Sequence, residues 1–294
     1  MNGFKTYHPI VNFIYFMFVI IFSMLFMHPI CLFISLTSGF LYYLKMRGKY
    51  AIKLGIACLP VIIFTALINP AFNHKGVTIL TYFPNGNPFT LESVIYGIFA
   101  SLMLSSVILW FSCFNEVITS DKIIYLFSKL SPKLSLIFSM TLSFIPKLGA
   151  RFNMLRSSQA CLGNDTQNEG IINRAKTGMI LISSVITWAF ESFIDTADSM
   201  KSRGYGLKGR TAFSIYRFDE RDKYTLAWLS LCGLFLVAGT ILNAFGFRYF
   251  PDIRYAAFDM TTISFYCAYS ALCITPVILN LKEERKWKTS VSEM

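Results

Sequence analysis

The chain has 294 residues, of which 54% are hydrophobic and 29 are Phe; its formal net charge is +11 and its mean hydropathy +0.53. A soluble domain averages about 45–50% apolar residues even with Gly counted, and the charge-free runs here approach the ~20 residues needed to cross a bilayer, so an ordinary soluble enzyme is excluded. Nucleic acid is excluded as a partner because the basic residues are spread over membrane-flanking loops rather than gathered on one face.

In chain order, the first charge-free run is 9–27. It exceeds the ~7–15-residue apolar core of a signal peptide, and it ends in Met27, His28 and Pro29 rather than a small-residue cleavage site. The run 29–44 is a little short for a span; 54–73 and 93–115 are long enough. The pairs His8-Pro9 and His28-Pro29 are read as turns at the membrane interface. After a block of about a hundred residues, two further charge-free runs follow at 226–247 and 260–281.

Charge placement orients these runs. Lys45, Arg47, Lys49 and Lys53 follow the second run, and 115–223 carries basic residues throughout, from Lys122, Lys129 and Lys133 to Arg217, Arg221 and Lys223. The loop 71–90 has only Lys75, and 245–256 only Arg248 and Arg254. Positive loops stay in the cytoplasm. The sequence therefore predicts an all-α, multi-pass protein of the cell membrane with about six transmembrane helices and both termini cytoplasmic. Its predicted parts are four spans in 1–114, a cytoplasmic or interfacial helical module in 115–223, a two-span hairpin in 224–281 and a cytoplasmic tail in 282–294.

The module is legible residue by residue. Ser120 and Asp121 can cap a short helix ending near Lys129. Ser131-Pro132 opens the next, with Pro at the first position. Its apolar residues are Leu134, Ile137, Phe138, Leu142 and Ile145, and Pro146 is expected to kink or end it. A more polar helical stretch continues through Arg151, Met154 and Gln159 to Gly163, and 164–170 reads as a polar loop. Ile171 starts a helix that ends at Arg203. Its apolar stretch, 179–190, is too short to cross a bilayer and is expected to lie in or along it. Beyond it, Phe190, Phe193, Ala197 and Met200 share one helical face, while Glu191, Asp195 and Asp198 share another. Gly204 and Gly206 can take left-handed conformations that stop the helix, so Arg203 projects from its end. A planar guanidinium suits insertion into a partner's groove; the plainer alternative is a cation satisfying its own helix terminus.

No chemistry-bearing cluster accompanies these features. The seven cysteines, Cys31, Cys58, Cys113, Cys161, Cys232, Cys267 and Cys273, have no CxxC spacing and read as packing residues. His8, His28 and His74 lie far apart, and there is no GxxxxGK[ST] phosphate loop. Neither catalytic residues nor metal or cofactor ligands are expected.

The run Ser199-Met200-Lys201-Ser202-Arg203-Gly204, continuing to Arg210-Thr211, resembles the second signature of the transmembrane coupling subunit (T component, CbiQ-like) of energy-coupling factor (ECF) transporters, whose usual form is Ala-Met-Glu-Ala-Arg-Gly. The segment from Leu130-Ser131-Pro132 to Ser143-Phe144-Ile145-Pro146 is similar to the stretch leading into that family's coupling helices, and Glu92-x-x-x-Tyr96-Gly97 also fits. The family's first signature, usually Ala-Gln-x-x-Arg-Gly, corresponds to Ser158-Gln159-Ala160-Cys161-Leu162-Gly163, with Leu162 in the arginine's place; that arginine is missing or displaced to Arg156. The resemblance implies a subunit without catalysis of its own. It would bind two cytoplasmic ABC ATPases through Ser202, Arg203, Gly204, Gln159, Ala160, Leu162 and Gly163. It would pack on a separate membrane substrate-binding (S) subunit, or on the lipid bilayer, through Leu134, Phe138, Phe190, Phe193 and Met200. The transport complex would take up a vitamin or a cobalt- or nickel-like metal ion. Two other classes stay open: a stand-alone transporter or channel, which would favour ionisable residues inside its spans, and a membrane-embedded enzyme, which needs a convergent catalytic set.

Overall fold

The computed structural model describes residues 3–74, 76–82, 88–161, 170–207, 216–242, 244–250, 254–255 and 259–292. The described chain is almost entirely helical, and it divides into two compact units, residues 1–119 with 216–294 and residues 120–215.

The first unit is a helical bundle. After a short 3-10 turn come α1 (Pro9–Leu25), α2 (Pro29–Arg47), α3 (Lys49–Phe72) and α4 (Leu91–Val117); α8 (Glu220–Ile241) and α9 (Met260–Ser292) complete it. Two antiparallel hairpins, β1 (Ile79–Tyr82) with β2 (Pro88–Thr90) and β3 (Phe247–Arg248) with β4 (Arg254–Tyr255), fill the loops before α4 and α9. α4 packs against α1, α2 and α3, and α9 against α2 and α8.

Local chemistry sets the helix ends. His8 and His28 are N-caps: each Nδ1 accepts the N–H two residues on, from Ile10 and Ile30, at 3.3 Å, and each is followed by a Pro that has no N–H to satisfy. Asp219 caps α8 in a box with Asp222, and Asp222 Oδ1 also accepts the His8 N–H at 3.2 Å. This box starts α8 within the charged run Glu220 to Lys223, six residues before the charge-free run begins. The predicted tail likewise remains helical to Ser292.

Among the described residues, six helices are long and apolar enough to cross a membrane: α2, α3, α4, Arg174–Ser202 of the second unit, α8 and Met260–Arg285 of α9. The expected count of about six holds, with a different membership. α1, expected to span, has 17 residues and is roughly 25 Å long. It is also among the most enclosed helices, with Val11, Tyr15, Phe16 and Val19 fully buried. Arg174–Ser202, expected to be too short in its apolar part, qualifies by length and composition.

The centre of the bundle holds a polar hub. Ser35 Oγ lies 2.8 Å from Ser23 Oγ and 2.8 Å from Ser106 Oγ, and it accepts the Trp110 Nε1–H at 2.9 Å. Ser23 Oγ in turn meets Tyr269 Oη at 3.1 Å. A hydroxyl has one donor and two acceptor sites, so Ser35 uses all of its capacity and joins α1, α2, α4 and α9 at one buried point. Gly39 allows this approach: a Cβ there would sit 3.2 Å from the Trp110 ring.

Contacts at the two ends of the bundle agree with alternating spans. One end gathers Lys45–Glu284 (3.0 Å), Arg47–Glu116 (2.7 Å) and Arg221–Glu283 (3.5 Å). The other gathers Tyr249, whose Oη donates to the Met27 carbonyl at 2.5 Å, the His28–Tyr266 pair at 3.1 Å, and Glu92, which accepts the Thr78 N–H at 3.1 Å.

Candidate functional site

The second unit consists of α5 (Ser120–Leu130), α6 (Pro132–Cys161) and α7 (Ile171–Ser202). The single residue Ser131 joins the first two helices and donates its N–H to Phe127 O at 2.9 Å. Ser135 Oγ donates to Ile124 O at 3.2 Å, and the Phe127 and Phe138 rings stack at 4.7 Å. α6 runs through Pro146 without ending.

α6 and α7 run in opposite directions. The Phe144 and Phe193 rings meet edge-on at 4.6 Å, and the Arg151 guanidinium lies 5.5 Å from the Trp188 ring. The partner number falls on α7 as it rises on α6. The C-terminal ends of the two helices therefore point apart, on the order of 40 Å from one another at a rise of ~1.5 Å per residue. An apolar groove of about 360 Å³ lies between the helices, lined by Ile137, Met140, Phe144 and Leu148 of α6 and by Phe193, Ala197 and Met200 of α7.

The end of α7 is closed by backbone alone. Gly204 has φ +77°, its N–H donates to Lys201 O at 3.0 Å, and the Tyr205 N–H reaches back to Met200 O at 3.1 Å. These two bonds form a Schellman motif, which satisfies the last carbonyls and requires a left-handed residue just past the helix. Gly206, at φ +93°, turns the chain again. Arg203 is the C-cap residue and is exposed; its N–H donates to Ser199 O at 3.2 Å. No described residue pairs with its guanidinium. The helix end is thus satisfied without the arginine side chain, and that cation is exposed with no partner among the described residues.

The other predicted residues divide into three groups. Ser202 is exposed and turns its hydroxyl back to Ser199 O at 2.8 Å. Ala160 is exposed and Gln159 half-buried at the end of α6, with exposed Arg156 one turn earlier; Leu162 and Gly163 lie outside the described residues, as do Lys208, Arg210 and Thr211. Among the apolar residues, Leu134, Phe138, Phe190 and Phe193 are exposed and Met200 half-buried; Phe138 touches Phe127, Phe193 touches Phe144 and Phe190, and Met200 lines the groove. Sequence reasoning did not single out Phe144, Arg151 or Trp188. The groove stripe on α6, Ile137, Met140, Phe144 and Leu148, has helical spacing, but Leu134, Phe138, Leu142 and Ile145 form an equally apolar stripe on the same helix, and the pattern alone does not choose between them. Asp198 pairs with Lys201 at 3.8 Å, both well exposed, in agreement with a solvated acidic face.

Five helices of the first unit long and apolar enough to cross a bilayer, and a second unit of three helices whose Arg203 side chain pairs with no described residue, define a multi-pass membrane protein with a helical module. Residues 7–215 match the family described as CbiQ, cobalt transport protein. The chain belongs to this family, the transmembrane T components of ECF transporters. It is 31% identical over 110 residues to the energy-coupling factor transporter transmembrane protein EcfT of Lactobacillus helveticus, a match covering 37% of this chain and 40% of that protein. It is 26% identical over 106 residues to EcfT of Lactococcus lactis (36% and 40% covered) and 28% identical over 114 residues to EcfT of Clostridium kluyveri (38% and 41%). The chain thus spans about two fifths of the length of each of these relatives.

Proposed function

We propose that this chain couples ATP use by two cytoplasmic ABC ATPases to the reorientation of a separate membrane S subunit that takes up a vitamin or a transition-metal ion. Residues 115–223 are the coupling module. They face the cytoplasm together with both termini, and the excess of basic residues there supports this orientation. Arg203 is the main polar anchor in one ATPase, and Gly204 sets its exit angle. Ser202 flanks this contact, and the end of α6, with Gln159, Ala160, Leu162 and Gly163, meets the second ATPase. The opposed directions of the α6 and α7 ends suit two separate docking sites. The faces bearing Leu134, Phe138, Phe190, Phe193 and Met200 pack on the S subunit or the lipid. Reorientation then requires a contact of unequal energy in the two states, which sliding apolar helices can supply.

The observation that carries this reading is the exposed guanidinium of Arg203, with no partner among the described residues, beyond a helix end that Gly204 and Tyr205 have already closed. A charged hydrogen bond buried at an interface and broken on one side costs about 2–5 kcal/mol. Arg203→Ala should therefore abolish most uptake or release the ATPases during copurification. Arg203→Lys should restore little, because the planar fork is lost. Leu162→Ala should be mild, and Leu162→Arg should tighten the complex. Full assembly and full uptake with Arg203→Ala would overturn the assignment.

A further inference from the structure

We propose that the end of the first unit that carries Arg221 and Lys282 binds an anionic phospholipid, with its acyl chain lying between α8 and α9. Two cavities adjoin at the shared residues Tyr224, Thr225 and Leu279. The inner part, about 340 Å³, is bounded by Trp228, Ala271, Thr275 and Ile278 and is almost wholly apolar. The outer part, about 540 Å³, opens onto Tyr7, Arg221, Lys282, Glu283 and Trp287. From Ala271 to Lys282, α9 rises about 16 Å, close to one leaflet's half of a hydrocarbon core of about 30 Å. An apolar slot of that length with cations at its mouth has the shape of one lipid leaflet.

The charges fit a phosphate. Lys282 makes no ion pair with a described residue. Arg221 stacks on the Tyr7 ring at 5.2 Å and holds two carboxylates only loosely, Asp219 at 3.7 Å and Glu283 at 3.5 Å. Such exposed pairs contribute little, so an incoming phosphate can share the guanidinium. Among the described residues lining the mouth, Glu283 is the one carboxylate, and Arg221 already engages it. Exposed Tyr224 and Trp287 flank the opening, as aromatic residues do at bilayer surfaces. The sequence adds Arg285, Lys286 and Lys288 just beyond Lys282; a basic cluster directly following a span attracts the anionic cytoplasmic leaflet. The inference rests on the cytoplasmic placement of this end and is independent of Arg203.

The test is native mass spectrometry of the full chain, with any partners that copurify, titrated with phosphatidylglycerol and with phosphatidylcholine of the same acyl chains. One phosphatidylglycerol should bind in preference to phosphatidylcholine. Lys282→Gln and Arg221→Gln should each weaken it roughly fivefold, and together about thirtyfold, with a smaller loss for phosphatidylcholine, whose choline cation already offsets its phosphate. Ala271→Phe, which fills the apolar slot, should weaken both lipids. If Arg221→Gln fails to fold, Lys282→Gln alone decides. Equal phosphatidylglycerol binding by wild type and the charge variants would overturn the site. So would a photo-crosslinker replacing Tyr224 that captures a protein chain rather than lipid in intact membranes. Either failure would leave the Arg203 copurification result unaffected.

Discussion

The two units differ in how much of their apolar sequence they bury. The first unit turns its side chains on one another: Phe4, Tyr15, Phe16, Tyr42 and Trp110 are fully buried around the Ser35 hub, and four helices meet there. In the second unit only three apolar side chains are buried among the described residues, Phe144, Leu181 and Ala189, while Phe190, Ile186, Ile182 and Met179 are exposed. Contiguous exposed apolar surface marks a face that something else covers. The first unit therefore holds an aromatic core beneath an outer face that is itself apolar on α3, where Ile56, Ile63, Phe64 and Leu67 are exposed, whereas the second has little core among its described residues; lipid or partners cover the apolar faces of both. The same contrast holds for polar groups. Ser35 has every site filled, whereas Arg203 has a donor fork with no described acceptor.

Four measurements can break or sharpen that contrast. Phe144→Ala should have the largest effect, about 3 kcal/mol for loss of a buried ring. It should appear as faster hydrogen exchange in α6 and α7, with α1, α2 and α4 unchanged; loss of protection in both units at once would show that they are not separate. Next is Ser35→Ala, which leaves the Trp110 N–H without its acceptor. Polar contacts inside membrane proteins average about 0.6 kcal/mol and reach about 1.7, so a hub of three should cost ~1.5 kcal/mol. The melting temperature should fall while copurification of partners stays intact.

Gly204→Ala places a Cβ on a residue at φ +77°, at a cost of about 1–2 kcal/mol. The chain should stay folded because the strain is confined to the last turn of α7. Assembly should weaken nonetheless, which separates positioning of Arg203 from stability. The smallest effect is expected from Asp198→Asn. Its pair with Lys201 is long and exposed, worth under about 0.5 kcal/mol, and neither melting nor assembly should change measurably.

The first unit also carries a pH dependence at His28. Burial holds the His28 imidazole below its ordinary pKa, and its cap on Ile30 needs an unprotonated Nδ1. The neutral form belongs to the fold. Its contribution is complete above the ordinary histidine value and is lost as pH falls through the lower folded value. Melting temperature should drop more between about pH 7 and pH 5 for wild type than for His28→Asn, which can cap at either pH.

Much of the candidate site was legible in the sequence. Ser131-Pro132, the pair Gly204 and Gly206, and the start at Ile171 mark α6 and α7 to within a residue, because capping and left-handed turns are chosen by the residues next to them. The beginning of α8 was not legible from charge. Asp219 and Asp222 cap each other across a charged turn, so the helix starts ahead of its apolar run. The choice between the two stripes of α6 was not legible either. Phe138 meets Phe127 while Phe144 meets Phe193, and both stripes are apolar at helical spacing.

The sequence by itself determined the membrane-spanning class, the distribution of positive charge and the exposed arginine after α7, since these follow from local composition and from hydrogen bonds within a few residues. Only the tertiary structure decided that α1, short for a span, is enclosed among its neighbours, that Ser23, Ser35, Ser106 and Tyr269 meet, and that the ends of α6 and α7 point apart. The reason is physical. Helices apolar on every side carry almost no periodic signal of which face packs, so the pairing is settled by where small residues such as Gly39 admit a large ring and where a hydroxyl finds its partners.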